Sequence, residues 1–222
     1  VQRDGLGVDA GHILHHADHG GVIMAQHIQL QQVFFHGVVF KMGGDLVGVR
    51  VIRRMLHLRY ALLPYLYSEF MKAALENGSY FRPLAFDYPG DPDAREVQDQ
   101  LLLGEGLMAA PVYTQNAHGR MVYLPESMKL LRLRAADDHD EEILPAGHHY
   151  VRCGLDEVLL FIRPGHLVPV ASPADNTAQL DDTKLNLWSY LPDGAHASYR
   201  MYTDDGVTTD YEKPEHWRTL TL

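Results

Sequence analysis

The chain has 222 residues, 46% of them hydrophobic and 22% charged, with a formal net charge of −10. An acidic chain offers no basic face to neutralise phosphates, which excludes nucleic-acid binding, and no apolar stretch approaches the ~20 residues that span a bilayer. A lone cysteine, Cys153, forms no internal disulfide, and no basic n-region leads into an apolar h-region near Val1; the expected location is cytoplasmic.

Residues 1–50 contain no Pro, Ser, Thr, Asn, Glu, Tyr, Trp or Cys, yet hold nine Gly and six His. A selected segment of that length draws on Ser, Thr, Glu and Pro for its caps and turns. Residues 1–52 are therefore expected to be anomalous: an out-of-frame or mis-started translation joined to a genuine coding tail, disordered and without a metal. The competing reading is a metal site, because His12, His15, His16 and His19 share one face of a helix and imidazole binds zinc, copper or nickel. Gly11, Gly20 and Gly21 weaken that helix, no carboxylate supports the imidazoles, and no metal ligand is assigned.

From Arg53 the apolar residues recur at helical spacing. Met55, Leu58, Leu62, Leu66, Phe70 and Leu75 form one stripe, widened by Leu63, Tyr67, Met71 and Ala74, with Arg59, Ser68 and Glu69 placed outside it. Asn77-Gly78 is a left-handed stop, and Pro64 is expected to kink or divide the helix. Tyr60, Tyr65, Tyr67 and Phe70 read as core rather than as a sugar-stacking platform. Residues 53–83 thus make one helical unit.

After Tyr80 short apolar runs alternate with turn residues. Strands are expected at 101–103, 107–113, 120–124, 129–134, 157–162, 166–170, 185–190 and 198–202, divided by turns such as Pro164-Gly165, Pro192-Asp-Gly194 and Asp204-Asp-Gly206. Many short strands without long helices predict a mainly-β fold, an antiparallel sandwich. It is expected as a proximal part over 84–170 and distal strands over 171–222, with Asp87–Asp93 as the linker from the helix.

Six ordered segments carry a resemblance over residues 58–222, about three quarters of the chain. They are Arg59-Tyr-Ala-Leu-Leu-Pro-Tyr-Leu-Tyr-Ser-Glu-Phe70, Arg82-Pro-Leu-Ala-Phe-Asp-Tyr-Pro89, Asp99-Gln-Leu-Leu-Leu-Gly-Glu-Gly-Leu-Met-Ala-Ala-Pro-Val112, Val122-Tyr-Leu-Pro-Glu126, Leu160-Phe-Ile-Arg-Pro-Gly-His-Leu-Val-Pro-Val170, and Tyr202-Thr-Asp-Asp-Gly206 with Tyr211. In that order they resemble the C-terminal portion of family 31 glycoside hydrolases, whose largest group is the α-glucosidases. The resemblance implies the last helix of a (β/α)8 catalytic barrel followed by a β-sandwich that braces it. It also implies retaining hydrolysis of terminal α-linked glucose by two aspartates, without a cofactor.

Neither aspartate context of that family, W-x-D-M-N-E or G-x-W-x-G-D, occurs in this chain. Asp204-Asp205 and Asp181-Asp182 are adjacent pairs on turns, whose side chains diverge, and no catalytic residue is assigned. No P-loop and no G-x-S-x-G elbow is present. The expectation is an inactive C-terminal fragment whose partner is the catalytic barrel, whose substrate in the full enzyme is an α-glucoside, and which self-associates through its uncovered helix stripe. The alternatives are a non-catalytic carbohydrate-binding sandwich using Trp188 or Trp217, and a fragment of an α-xylosidase of the same family.

Overall fold

The computed structural model describes residues 46–222. His12, His15, His16 and His19, and most of the anomalous segment, lie outside the described residues. Helix α1 spans Leu46–Ala61 and α2 spans Leu63–Leu75. The helix therefore starts at Leu46 rather than Arg53, and Val51, inside the segment expected to be unfolded, is 5% exposed in the core.

The expected break at Pro64 is present. Leu62 separates the two helices in near-helical geometry (φ −82°, ψ −6°), and Pro64 takes the first turn of α2, where its missing N–H costs no helical bond. At the other end Asn77 adopts φ 56° and the Gly78 N–H reaches back 3.0 Å to the Ala73 carbonyl, the left-handed stop read from sequence.

A short strand β1 (Phe81–Pro83) leads into two short helices, α3 (Leu84–Asp87) and α4 (Pro92–Glu96). The expected linker Asp87–Asp93 joins these two helices, whose Leu84 and Ala94 are fully buried on either side of it, and its Asp91 carboxylate caps α4 through the N–H groups of Asp93 and Ala94. The remaining strands are β2 (Leu101–Leu103), β3 (Leu107–Ala109), β4 (Gly119–Leu124), β5 (Met128–Leu133), β6 (His139–Leu144), β7 (Gly147–Arg152), β8 (Val158–Ile162), β9 (His166–Ala171), β10 (Leu185–Tyr190), β11 (Ser198–Tyr202) and β12 (Trp217–Thr221).

The mainly-β, antiparallel class is borne out. A six-stranded sheet runs β1-β2-β3-β8-β5-β6, flanked by the pairs β4-β7, β9-β10 and β11-β12. The central sheet is buried on both sides, which explains the unbroken apolar runs in β2, β3 and β8; β5 carries Lys129 and Arg132 between its buried leucines. Alternation divides them between two cores. Leu103, Leu107, Leu131, Leu133, Leu160 and Ile162 face α1, α2, β9 and β11. Leu102, Met108, Leu130, Leu159 and Phe161 face β4, β7 and the short helices.

The first of these cores receives the stripe of α1 and α2: Met55, Leu58, Leu62 and Leu66 are at most 3% exposed. The stripe was expected to await a barrel. Instead the sandwich covers its inner residues, while Leu63, Tyr67, Phe70 and Leu75 stay half-buried. No helix among the described residues is long and apolar enough to cross a membrane.

Candidate functional site

The carboxylate pairs singled out in the sequence occupy turn positions. Asp205 Oδ1 accepts from the N–H groups of Val207 (3.0 Å) and Thr208 (2.9 Å), and those backbone bonds hold its carboxyl below the usual range. Asp204 accepts from the Tyr67 hydroxyl at 2.7 Å and from the Gly206 N–H at 3.1 Å. Asp181 caps Thr183, whose hydroxyl and N–H pull its carboxyl down in the same way. A general acid for glycoside cleavage needs a raised carboxyl. Among the described carboxylates, every one that its surroundings move is moved down.

The polar residues of the family-like segments converge instead on two nodes that fasten the helices to the sandwich. The first sits on α2. Glu69 is 3% exposed, although its helical position placed it outside the stripe. Its Oε1 accepts from the Tyr199 hydroxyl (2.8 Å) and Lys72 Nζ (2.7 Å), while Oε2 accepts from the Glu105 N–H (2.8 Å). One turn earlier, the Tyr65 hydroxyl donates to the Leu103 carbonyl at 2.7 Å and accepts from the Gly106 N–H at 2.8 Å. Burial, reinforced by the Glu69 charge, pushes both phenols up, so each remains a donor across the neutral range. Ser68, fully buried, accepts the Tyr202 N–H at 2.9 Å. Tyr65, Ser68 and Glu69 therefore hold the β2–β3 turn and strand β11 against the helix.

Gly104 completes this node. It adopts φ +62°, and a Cβ there would lie 2.3 Å from Glu69 Cγ, so the turn has room for the carboxylate only without a side chain.

The second node centres on Arg163, between β8 and β9. Its Nη1 donates to Asp87 Oδ2 and to the Glu105 carbonyl, and its Nε donates to Glu126 Oε1, each at 3.0 Å. Arg82 binds the same Asp87 with both arms, at 2.7 and 3.0 Å, and the Tyr88 hydroxyl donates to Glu126. The Arg82 hydrogen bonds, followed by the charges of both guanidiniums, hold the Asp87 carboxyl low. Gly165 of the expected Pro164-Gly165 turn adopts φ +78°, the left-handed conformation that glycine tolerates. The turn does not close a hairpin: β8 lies in the central sheet and β9 pairs with β10.

Neither tryptophan presents a free ring. Trp188 is 8% exposed and packs against His139, and the Trp217 ring lies 4.3 Å under the Arg200 guanidinium with the Tyr202 ring against it. A groove of about 640 Å³ lies between α2, the 177–182 segment and the 203–206 turn, with Tyr67 and Phe70 in its wall. No group of three or more metal-ligating side chains occurs among the described residues.

Residues 77–168 match the model of the glycosyl hydrolase family 31 C-terminal domain. The chain is 30% identical over 170 residues to α-glucosidase 2 of Bacillus thermoamyloliquefaciens, covering 76% of this chain and 21% of the relative. It is 29% identical over 168 residues to an α-xylosidase of Saccharolobus solfataricus, covering 75% and 22%. In structure it is similar to a family 31 α-xylosidase from Xanthomonas citri, with a TM-score of 0.62, 28% identity, and coverage of 74% of this chain and 17% of the other. The chain thus spans about a fifth of the length of these relatives. The two nodes are built largely from the segments that carry the resemblance; residues 77–168 match the C-terminal portion of the family 31 glycoside hydrolases, and the chain around them is similar to it in sequence and fold.

Proposed function

We propose that this chain is the bracing part of a retaining α-glucosidase, and that its helix pair and sandwich support a catalytic barrel contributed by sequence outside it. The observation that carries this reading is the pair of nodes. The polar residues of the family-like segments are spent on joining helix to sandwich, and the turn carboxylates of Asp181, Asp204 and Asp205 are engaged by neighbouring donors. Cleavage of a terminal α-linked glucose would then take place in the barrel, where one aspartate attacks the anomeric carbon and another protonates the leaving oxygen. A second reading, support of an α-xylosidase, is favoured by the α-xylosidases among the relatives in sequence and structure. The groups that choose between glucose and xylose belong to the barrel in either case. A cytoplasmic location is part of the proposal and rests on the single thiol.

The test is an assay of the purified 222-residue chain on p-nitrophenyl α-glucoside and α-xyloside. The expected result is no turnover of either. Turnover that disappears on substituting Asp204 or Asp205 would overturn the bracing role.

A further inference from the structure

Arg59 differs from the other well-covered cations of this chain. Lys72, Arg82, Arg120 and Arg163 have side chains 10–18% exposed, and each lies 2.6–3.0 Å from a carboxylate oxygen. Arg59, on α1, is deeper still at 2% exposed, and its Nε and Nη2 have no hydrogen-bond partner among the described residues. The adjacent Tyr60 ring lies 5.8 Å from its guanidinium carbon, a contact that leaves both N–H groups unmet.

The Tyr80 hydroxyl shares this condition. Tyr80 is 4% exposed and its oxygen has no partner among the described residues. Its ring lines the 640 Å³ groove together with Leu63, four residues on from Arg59. The guanidinium and the phenol also act on each other's ionisation, which places them in one neighbourhood. The carboxylates around them are committed elsewhere. Glu69 serves Tyr199, Lys72 and the Glu105 N–H, Asp204 holds the Tyr67 hydroxyl, and Asp182 faces Arg218. Buried donors normally find acceptors, and a buried charge without a counter-ion is strongly destabilising. The acceptor therefore has to come from outside the described residues.

We infer that Arg59 and Tyr80 form the seat of a carboxylate side chain carried by the barrel of the parent enzyme. The inference rests on the bracing role proposed above and names the chemistry of the contact. A carboxylate is selected over a neutral acceptor because it opposes the Arg59 charge. It also brings two oxygens, one for the guanidinium and one for the Tyr80 O–H. Leu56, Tyr60 and Leu63, half-buried along the same stretch of helix, give the docked pair an apolar rim.

The sign of the stability change at Arg59 tests this. In the 222-residue chain Arg59→Met keeps the apolar stem and removes the unpaired charge, so the urea midpoint should rise by about 0.5–1 M. Tyr80→Phe removes an unmet hydroxyl and should not lower the midpoint. A fall with either substitution would mean that the partner already lies within this chain, and would overturn the proposal. In the parent enzyme, with its barrel, the sign should reverse: Arg59→Met and Tyr80→Phe should both lower the melting temperature. There Arg59→Lys, which keeps the charge, should retain more stability than Arg59→Gln, which keeps only donors. Gln equal to Lys would assign a neutral acceptor, and a parent enzyme stabilised or unchanged by Arg59→Met would leave no barrel carboxylate at this seat; either result overturns the inference. Failure of the bracing role itself reads out separately, as turnover by the isolated chain.

Discussion

Two ionic clusters in this molecule each gather three partners about one charge and are expected to have opposite consequences. Around Glu69 one carboxylate collects Lys72, the Tyr199 hydroxyl and a backbone N–H. Around Arg134, on the β5–β6 hairpin, one guanidinium collects Asp138 (2.8 Å), Asp140 (2.9 Å) and Glu157 (3.1 Å). The difference is solvent. The Glu69 side chain is 2% exposed, whereas those of Asp138 and Asp140 are 53% and 63% exposed. Water re-solvates whatever is freed at the hairpin, and cannot do so beneath α2. A bond count therefore ranks the two clusters as equals, while burial separates them.

Removing Glu69 gives the largest effect. Glu69→Ala removes the acceptor of the Glu105 N–H and the shorter bonds of Lys72 and the buried Tyr199 hydroxyl, which keep only Glu105 and the Tyr65 carbonyl, each at 3.3 Å; the cost is about 3 kcal/mol, the lower end for breaking one side of a buried ion pair. Urea unfolding should show this as a lower midpoint, with Glu69→Gln falling between wild type and Ala because one acceptor oxygen remains. A loss below 1 kcal/mol would erase the contrast between the clusters.

Two glycines sharpen the same contrast without touching a charge. Gly104 and Gly165 both have positive φ, +62° and +78°, so a Cβ at either carries backbone strain of about 1–3 kcal/mol. At Gly165 the Cβ meets nothing within 4 Å, so Gly165→Ala should cost the strain alone. At Gly104 it meets the Glu69 side chain at 2.3 Å, and Gly104→Ala should add the displacement of the carboxylate to the strain. Thermal melts of the two variants should therefore differ clearly, with Gly104→Ala lower. Equal melting temperatures would mean that Glu69 moves aside at no cost.

The Arg163 node lies between these extremes, and pH reads it. The Asp87 carboxyl is held low by the Arg82 hydrogen bonds first and then by the charges of Arg82 and Arg163. Its contribution to stability is complete above the unfolded value of about 3.9 and is lost as pH falls through the depressed folded value. Wild type should be more stable than Asp87→Asn at neutral pH, and the gap should close only below about pH 4. A gap that stays constant from pH 7 to pH 3 would remove the ion pairing from the account.

Much of this arrangement was legible in the sequence, and the failures have a common cause. The Pro64 break, the Asn77 stop, the left-handed Gly165 and most inner strands follow from local chemistry that tertiary packing leaves unchanged. Strand β6, His-Asp-Glu-Glu-Ile-Leu, was missed because it is an edge strand whose residues are almost all exposed, so no apolar alternation marks it. Its Glu141 and Glu142 instead face Lys129 and Arg132 of β5 at 3.0 and 2.6 Å, a charge ladder that periodicity does not detect. Arg59, Ser68 and Glu69 were placed outside the helix stripe because they are polar, yet they are 2%, 0% and 3% exposed. Hydropathy assigns such residues to water. For Ser68 and Glu69 only partners distant in sequence show that they belong inside, as the Ser68–Tyr202, Glu69–Tyr199 and Glu69–Glu105 bonds do, whereas Arg59 Nε and Nη2 are buried without a hydrogen-bond partner among the described residues. The tryptophans differ in the opposite sense, since a large ring in a β-domain suggested a binding face, whereas Trp188 is buried and Trp217 is half-buried beneath Arg200.

The smallest effect is expected at Arg134, and it decides whether burial is the right variable. Arg134 has more ionic partners than any other side chain discussed here, and its guanidinium is held well above its ordinary pKa by the Asp140 and Asp138 hydrogen bonds. Those partners are half exposed or more, apart from Glu157, whose side chain is 17% exposed and which also binds the Gly154 N–H at 2.7 Å. Exposed pairs of this kind contribute little, because water and salt replace the guanidinium once it is gone. The backbone also holds the hairpin without help from Arg134. The Arg134 and Ala135 N–H groups both bind the Asp138 carbonyl, at 2.9 and 3.0 Å, and those bonds survive truncation of the side chain. Arg134→Ala should therefore melt within a degree or two of wild type, and adding salt should shrink even that difference. If it instead unfolds the chain as Glu69→Ala does, the number of ionic contacts rather than their burial governs this fold, and the ranking of the two clusters is reversed.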